Sequence, residues 1–230
     1  KWQVTSFAEK PENPVSIPGQ PETALVSMGI YVFNAAFLYE QLIRDHQIND
    51  SSHDFGKDLI PYLVPRYRVF AHRFLNSCVN MASGIPYWRD VGTVDAYWEA
   101  NLDLITITPQ LNLYDEDWPI WTHQEQLPPA KFVFDDVDRR GQALDSSVSG
   151  GCIISGATVR GSLLFSNVKV NSYSNVQDSV ILPNVVVGRH ARLRRVVVEK
   201  QCIIPEGLEV GYDSEADRKR FYVTAKGITL

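Results

Sequence analysis

Two short stretches of this sequence carry side chains that could bind a charged ligand. Glu9 and Lys10 stand side by side before Pro11, and Asp90 precedes Thr93, a residue type that can cap a helix. An aspartate offers the oxygen ligands that Mg²⁺ prefers, and a lysine offers a point charge for a phosphate. Each feature also has a structural interpretation. An acidic–basic pair before a proline is typical of a solvated turn, and an isolated aspartate before a helix is typical of a turn or cap.

A basic segment runs from Gly188 to Lys200 and contains four arginines but only one acidic residue, Glu199. It could be an anion site at a subunit interface, or a solvated face that balances the acidic remainder of the chain. The five histidines have no spacing typical of metal ligands. The sequence also offers no Ser-His-Asp or Cys-His arrangement for nucleophilic catalysis.

The composition is that of an ordinary globular protein of 230 residues, with 44% hydrophobic and 21% charged residues. The net charge of -5 excludes a global basic footprint for nucleic acid. No apolar run approaches the roughly 20 residues that cross a bilayer, so no membrane partner is expected. Three cysteines without a CxxC pair favour a reducing cytoplasm. The chain opens in mid-pattern at Lys1, which suggests an excerpt of something longer.

Strand and helix patterns alternate in residues 1–104 and predict an α/β architecture. The usual first strand with a Gly-rich phosphate loop is missing from this pattern. A polar, Pro-rich loop is expected between the first two predicted strands. The predicted strands are Trp2–Phe7, Leu25–Phe33 (a buried one) and Arg68–Phe74; the predicted helices are 35–46 capped by Asn34, 54–64 bent by Pro61, and one beginning at Thr93.

Residues 109–142 are typical of a connector, because they contain four prolines and few periodic apolar positions. Trp118 and Trp121 are expected to pin this connector against a domain surface, since an unpacked linker would rarely keep two tryptophans.

A different rhythm begins near Ala143. Aliphatic residues recur there in steps of 5 or 6, which matches neither a helix nor an isolated strand. A hexapeptide repeat explains the steps, with short strands winding into a parallel β-helix of about 18 residues per coil. A β-sandwich is the alternative, but its turns recur every 8–12 residues. The anchors predicted to point inward are Val148, Ile154, Val159, Leu164, Val170, Val176, Ile181, Val187, Leu193, Val198, Ile204 and Val210.

Several sequence blocks resemble the bacterial ADP-glucose pyrophosphorylases, also called glucose-1-phosphate adenylyltransferases. The blocks are FAEKP (7–11), SMGIYVF (27–33), SSHDFGKDLIP (51–61), PYWRDVGT (86–93), YWEANLDL (97–104), PPAKFV (128–133) and the repeat itself. The resemblance implies an α/β fold class: a partial, Rossmann-like nucleotidyltransferase domain followed by a left-handed parallel β-helix. The expected domains are 1–108, the sugar-phosphate part; 109–142, the connector; and 143–230, the regulatory and oligomerisation β-helix.

The resemblance also implies a reaction, in which ATP and glucose 1-phosphate give ADP-glucose and pyrophosphate at the start of glycogen synthesis. On the matching positions, Lys10 would hold the sugar phosphate, while Glu9 and Ser27 would bind glucose hydroxyls. Asp90 would hold Mg²⁺ together with a second aspartate. That aspartate and the family's GGxGxRL loop are absent from these 230 residues. The chain on its own is therefore expected to be inactive.

Members of this family are homotetramers regulated by metabolites, which implies a cytoplasmic tetramer assembled through the β-helix. In the enterobacterial type, a Glu and an Arg of the β-helix contact AMP. Those positions match Asn184 and Lys200, so the resemblance implies an allosteric site for AMP or phosphate there. The replacement of the Glu by Asn and of the Arg by Lys argues against strong inhibition by AMP.

Two other functions are compatible with parts of the sequence. A hexapeptide acyltransferase would need a catalytic histidine near a coil corner, and His190 is the only histidine in the repeat. A non-catalytic regulatory or scaffolding subunit of the same family would have no reason to keep both Lys10 and Asp90.

Overall fold

A computed structural model describes residues 2–78 and 86–230, and the chain divides into two compact units, residues 1–77 and 78–230. The predicted domain boundaries at 108 and 142 stay predictions. The first unit contains short antiparallel pairs and two helices. Its elements are β1 (Trp2–Gln3), β2 (Ser16–Ile17), β3 (Gln20–Ala24), α1 (Ala35–His46), α2 (Ile60–Leu63) and β4 (Phe70–Ala71).

The predicted helix over 35–46 is confirmed, together with its cap. The Asn34 side chain accepts a hydrogen bond from the Phe37 N–H at 3.3 Å, which satisfies one of the free amides at the start of α1. The predicted outer strands are confirmed only in part, as β1 pairs antiparallel with β4 over two residues each.

The predicted buried strand over Leu25–Phe33 is wrong. This segment has no regular structure, and none of its side chains is buried, with Val32 98% and Val26 83% accessible. An apolar run becomes a buried strand only where neighbouring backbone pairs with it, and no described strand does so here. The preceding Pro-rich stretch, predicted as a loop, instead holds the antiparallel pair β2–β3. Gly19 turns the chain between these strands at φ +82°.

The helical pattern over 54–64 is confirmed in two parts. Residues Phe55–Leu59 form a π-helical turn that leads into α2, and the Asp54 side chain accepts from the Lys57 N–H at 2.8 Å. Pro61 lies in the first turn of α2, where its missing N–H costs no helical hydrogen bond.

The second unit begins with α3 (Val94–Asp103), which the Thr93 hydroxyl caps as predicted by accepting from the Ala96 N–H. An irregular stretch follows. The expected pinning of this connector by its tryptophans is wrong, since Trp121 is 92% and Trp118 46% exposed. Neither ring is buried, so the rings do not fix the path of the connector.

Short parallel strands then stack into the predicted β-helix. The remaining elements are β5 (Lys131–Val133), β6 (Asp135–Asp136), β7 (Arg139–Arg140), β8 (Gln142–Leu144), β9 (Ser147–Val148), β10 (Ile153–Ser155), β11 (Thr158–Arg160), β12 (Leu163–Leu164), β13 (Lys169–Val170), β14 (Asn175–Gln177), β15 (Val180–Ile181), β16 (Val186–Val187), β17 (Arg192–Arg194), β18 (Val197–Val198), β19 (Ile203–Ile204), β20 (Glu209–Val210) and the short helix α4 (Ser214–Arg218). The stacked strands form three sheets, in the orders β5-β10-β13-β16-β19 (first sheet), β8-β11-β14-β17-β20 (second sheet) and β9-β12-β15-β18 (third sheet). The stack begins at β5, before the predicted start of the domain at 143.

The predicted hexapeptide anchors form the core of this β-helix. All twelve belong to one apolar cluster, ten of them buried and Val148 and Ile204 packed against it. Val176 pairs with Val159 below and Leu193 above, so a coil takes 17 residues here rather than the 18 of an ideal repeat. One side of this coil is therefore a residue shorter than in the ideal repeat, and the anchors still lie in the core.

The corners of the coils are built from residues in the left-handed conformation. Asn167, Asn184 and Gln201 have φ between +60° and +64° and follow one another at 17-residue intervals. Asparagine tolerates this conformation better than most residues, so it suits a corner where glycine is not used. All three cysteines are free. No helix among the described residues is long and apolar enough to cross a membrane.

Candidate functional site

Glu9 and Lys10 lie in an exposed loop that follows β1. Lys10 Nζ is 3.6 Å from Glu9 Oε1, and the side chains are 90% and 36% exposed respectively. An ion pair this exposed contributes little to stability, so the Lys10 ammonium is available to a ligand. Lys10 also adopts φ +43°, a left-handed conformation that few residues with a side chain adopt.

Glu9 extends from this loop to the π-helical turn at residues 55–59. A β-carbon on Gly56 would lie 2.3 Å from Glu9 Oε2 and 3.0 Å from its carboxyl carbon. Only a glycine at position 56 therefore leaves space for the Glu9 carboxylate in its present position. The neighbouring Asp54 carboxylate would lie 3.4 Å from the same β-carbon, so two acidic side chains flank Gly56.

The Ser27 loop reaches the same turn through an aromatic contact. Ser27 Oγ lies 3.2 Å from the Tyr31 hydroxyl and accepts a hydrogen bond from the Gly29 N–H at 3.2 Å. The Tyr31 ring stacks on Phe55, with centroids 5.9 Å apart and an interplanar angle of 11°. Phe55 immediately precedes Gly56, so Glu9 and Ser27 both depend on the segment 54–56 for their positions.

A buried carboxylate anchors the segment that leads into this turn. Asp45 is 6% exposed, and its oxygens accept from Ser51 Oγ and lie 3.0 Å from His53 Nδ1. The hydrogen bond with His53, followed by those with Ser51 and the charge of Arg44, lowers the pKa of the Asp45 carboxyl against the opposing effect of burial. His53 itself has φ +58°, so it marks the bend from which the turn begins.

Asp90 lies in the second unit, on the loop that enters α3. Its Oδ1 accepts a hydrogen bond from the Gly92 N–H at 2.9 Å, and its side chain is exposed. Arg89 on the same loop lies 3.9 Å from the Asp103 carboxylate at the far end of α3 and donates to Gln110 at 3.3 Å. The structural role that the sequence left open for Asp90 is therefore real, and it occupies one of the two carboxylate oxygens.

Asn184 and Lys200 lie at one corner of neighbouring coils. Asn184 accepts a hydrogen bond at Oδ1 from Asn167 Nδ2 at 2.8 Å and has φ +63°. Gln201, next to Lys200, donates its backbone N–H to Pro183 O in the coil below. The β-helix thus brings the two predicted allosteric positions to one exposed corner, where Asn184 already shapes the backbone.

Comparison with known proteins accounts for both units. A nucleotidyl transferase model matches residues 1–106, and a model described as GlmU-like, C-terminal hexapeptide matches residues 128–230. A glucose-1-phosphate adenylyltransferase of Nitrosomonas europaea is 76% identical over all 230 residues, which cover 53% of that protein. Proteins of the same name from Nitrosospira multiformis and Dechloromonas aromatica are 77% and 65% identical over 99% of the chain, covering 54% and 52% of their own lengths.

Over its whole length the chain is similar to these glucose-1-phosphate adenylyltransferases. It spans about half the length of the curated relatives it matches. The predicted fold, a nucleotidyltransferase part followed by a hexapeptide β-helix, is confirmed.

Nucleotidyltransferases of this kind usually use a divalent metal. Within residues 2–78 and 86–230, no group of three or more His, Cys, Asp or Glu side chains could hold a metal ion. Asp90 supplies one hard oxygen ligand, and its exposure leaves room for water and phosphate ligands. That donor fits Mg²⁺, which leans on substrate phosphates and keeps several waters rather than using an all-protein cage.

Two positions in this candidate site, Gly56 and Tyr31, have no role predicted from the sequence. Gly56 stands inside the quoted block DFGKDLIP, but its proximity to Glu9 joins residues 47 positions apart. The sequence pattern predicts Tyr31 in a strand, whereas in the structure its hydroxyl lies near Ser27 and its ring stacks on Phe55. A glycine inside a helical pattern was the one available hint, because glycine lowers helix stability unless its lack of a side chain is needed.

Proposed function

We propose that this chain is part of a glucose-1-phosphate adenylyltransferase, which converts ATP and glucose 1-phosphate into ADP-glucose and pyrophosphate. The identity of 76% over the whole chain to a relative of that name carries the proposal. The placement of Glu9 beside Gly56, of Lys10 beside Glu9, and of Ser27 near Phe55 through Tyr31 supports it, since a sugar phosphate needs one cation and several hydroxyl partners.

In this proposal the chain's own residues bind and orient the sugar phosphate. Lys10 neutralises the phosphate of glucose 1-phosphate. Glu9 accepts hydrogen bonds from the glucose hydroxyls, and the Ser27 hydroxyl exchanges a hydrogen bond with another of them. A phosphate oxygen of glucose 1-phosphate then attacks the α-phosphorus of ATP. The bond from that phosphorus to the bridging oxygen breaks, and pyrophosphate leaves. Orientation and charge neutralisation contribute most to such a phosphoryl-type transfer.

Asp90 is the residue we assign to the metal. Bound Mg²⁺ would neutralise charge on the nucleotide phosphates. Asp90 would contribute one carboxylate oxygen while its other oxygen keeps the Gly92 N–H, which fixes the direction of the carboxylate.

The proposed function is tested by assaying pyrophosphate release from ATP and glucose 1-phosphate. The chain is assayed alone and within a protein of the relatives' full length. We expect turnover only in the longer protein, because the described residues supply no nucleotide loop. Turnover that does not depend on glucose 1-phosphate would contradict the proposal. A longer protein that binds both substrates without turnover would instead support a non-catalytic regulatory or scaffolding subunit.

The proposal extends to regulation, assembly and location. Allosteric metabolites would bind at the corner formed by Asn184 and Lys200, and the β-helix would join four subunits into a homotetramer in the cytoplasm. The exposed apolar side chain of Ile203, 77% accessible on the outer face of the first sheet, supports a subunit contact there. Analytical ultracentrifugation of the longer protein, with and without AMP, tests the assembly.

A further inference from the structure

Helix α3 packs on the outer face of the third sheet of the β-helix. Val180 and Val197, neighbours on β15 and β18, form an apolar cluster with Ile228 from the C-terminal segment. Four residues of α3 cover this cluster: Val94, Tyr97, Trp98 and Leu102. They recur at helical spacing, so one face of α3 packs, half-buried, on the β-helix.

Trp98 contacts two neighbouring coils at a single corner. Its indole N–H donates to Asp178 O at 2.8 Å, and the Arg195 guanidinium lies 4.8 Å from its ring centroid. Asp178 and Arg195 are corner residues of successive coils, with φ +48° and +52°. Trp98 therefore contacts both coils and helps to fix the position of one relative to the next.

That corner is held rigidly from inside the β-helix. Ser179 is fully buried, donates to Gln177 O at 2.6 Å and accepts from the Val196 N–H at 3.2 Å. Ser162 repeats the arrangement one coil below, donating to Arg160 O and accepting from Ser179 N–H. Buried hydroxyls with all partners satisfied resist displacement, so a shift of this corner moves whole coils.

The C-terminal segment, residues 223–230, also holds α3 through two hydrogen bonds. Thr224 Oγ1 donates to the Asp95 carboxylate, and Lys226 Nζ donates to Glu99 Oε1 at 2.6 Å. The hydrogen bond with Glu99 raises the pKa of the Lys226 ammonium. Arg195 also donates to Lys226 O at 3.0 Å, so the same arginine contacts both the C-terminal segment and Trp98.

The Asp90 loop is tied to both ends of the helix that is docked in this way. Thr93 caps the start of α3, and Arg89 reaches the carboxylate of Asp103 at its end. Asp90 lies between these two ties. A rotation or slide of α3 on the β-helix would therefore move the Asp90 carboxylate.

We propose that Trp98 and Arg195 are positioning residues that set the location of Asp90 from the β-helix. The proposal rests on the proposed function, in which Asp90 holds the metal. It also provides a route for regulation. The two coils that carry Asp178 and Arg195 carry Asn184 and Lys200 a few residues further along the chain, so an anion bound at the latter pair acts on the coils that Trp98 contacts.

The test replaces Arg195 by Gln and Trp98 by Phe in the protein of full length. Loss of the cation–π contact or of the indole N–H should raise amide hydrogen exchange across residues 86–103 by roughly 2- to 30-fold. The half-saturating Mg²⁺ concentration should rise with it, while the melting temperature of the β-helix changes little. Arg195→Lys should restore part of both effects, because lysine keeps a cation over the ring.

Matched variants separate positioning from general damage. Arg160→Gln removes an arginine exposed on the second sheet, and Trp121→Phe changes a ring that is 92% exposed. Both should leave exchange across 86–103 as it is in the unchanged protein. Equal exchange in Arg195→Gln and Arg160→Gln would overturn the coupling, as would faster exchange with an unchanged Mg²⁺ requirement.

Asp90→Asn, measured in parallel, distinguishes the two proposals. If Asp90→Asn leaves the Mg²⁺ requirement unchanged, the metal role fails and the positioning role fails with it. If Asp90→Asn abolishes turnover while Trp98→Phe and Arg195→Gln leave exchange and Mg²⁺ unaffected, only the positioning role fails.

Discussion

The carboxylate of Glu9 lies against the backbone of Gly56, where a β-carbon would stand 2.3 Å from Glu9 Oε2. Gly56→Ala should therefore displace Glu9 and raise the KM for glucose 1-phosphate about tenfold, the scale of one hydrogen bond to a charged group. Its free energy of unfolding should hold or rise, since alanine favours a helical turn by about 1 kcal/mol. Steady-state kinetics and urea unfolding measure the two effects.

The comparison for this prediction is Glu9→Ala. If Gly56 acts through Glu9, the KM of the double variant should be no higher than that of Glu9→Ala alone, because the same contact is lost only once. Additive losses in KM would show that Gly56 has a separate role.

Lys10→Ala should raise the glucose 1-phosphate requirement roughly tenfold or more and spare the affinity for ATP. The Lys10 side chain is 90% exposed beside Glu9, so its removal should leave stability unchanged. Substrate titrations of pyrophosphate release give both KM values, with Lys169→Ala, a change of an exposed β-helix lysine, as the control. An equal effect on both substrates would count against Lys10 as the phosphate holder.

Asp90→Asn should lower turnover by about 10²-fold or more while the oligomer survives. Asparagine keeps the oxygen that accepts from the Gly92 N–H, so the loop geometry is retained and only the charge is lost. Turnover is measured at saturating substrates and the mass by light scattering, with Asp117→Asn in the connector as the control. Unchanged turnover would remove the metal assignment.

The contrast between the caps and the apolar run shows which features can be predicted from sequence here. Asn34 and Thr93 were predicted correctly because a cap is a local hydrogen bond, reaching three residues along the chain. The run Leu25–Phe33 was misassigned because a strand needs a backbone partner from elsewhere, and composition cannot supply one.

The β-helix was predictable for a related reason. Its anchors recur in steps of 5 or 6 because each coil repeats the same local geometry, so a long-range fold leaves a short-range pattern. The Glu9–Gly56 and Trp98–Arg195 contacts leave no such pattern. Each joins positions far apart in the chain once only, so no repetition in the sequence marks it.

Asp45 should make the stability of the first unit fall in acid. Its pKa is lowered on folding, so its stabilising effect is complete above the unfolded value of 3.8 and is lost as the pH falls through the lower folded value. Asp45→Asn should cost about 1–2 kcal/mol at pH 7. The difference from the unchanged protein should shrink as the pH falls below 3.8.

Urea unfolding at pH 7 and pH 3 measures this difference, with the exposed Asp50→Asn as the control. A constant gap between Asp45→Asn and the unchanged protein at both pH values would show that the carboxylate charge is not what stabilises the segment.

Asn184 combines a corner conformation with a ladder hydrogen bond, and two substitutions separate these contributions. Asn184→Gly removes the hydrogen bond from Asn167 but adopts φ +63° freely, so it should cost under about 1 kcal/mol. Asn184→Ala loses the bond and is strained as well, and should cost about 1–2 kcal/mol more. Urea unfolding of the β-helix ranks the two variants. If alanine were as stable as glycine at this corner, backbone conformation would not be the reason that Asn184 occupies it, and a ligand role would have to account for the residue instead.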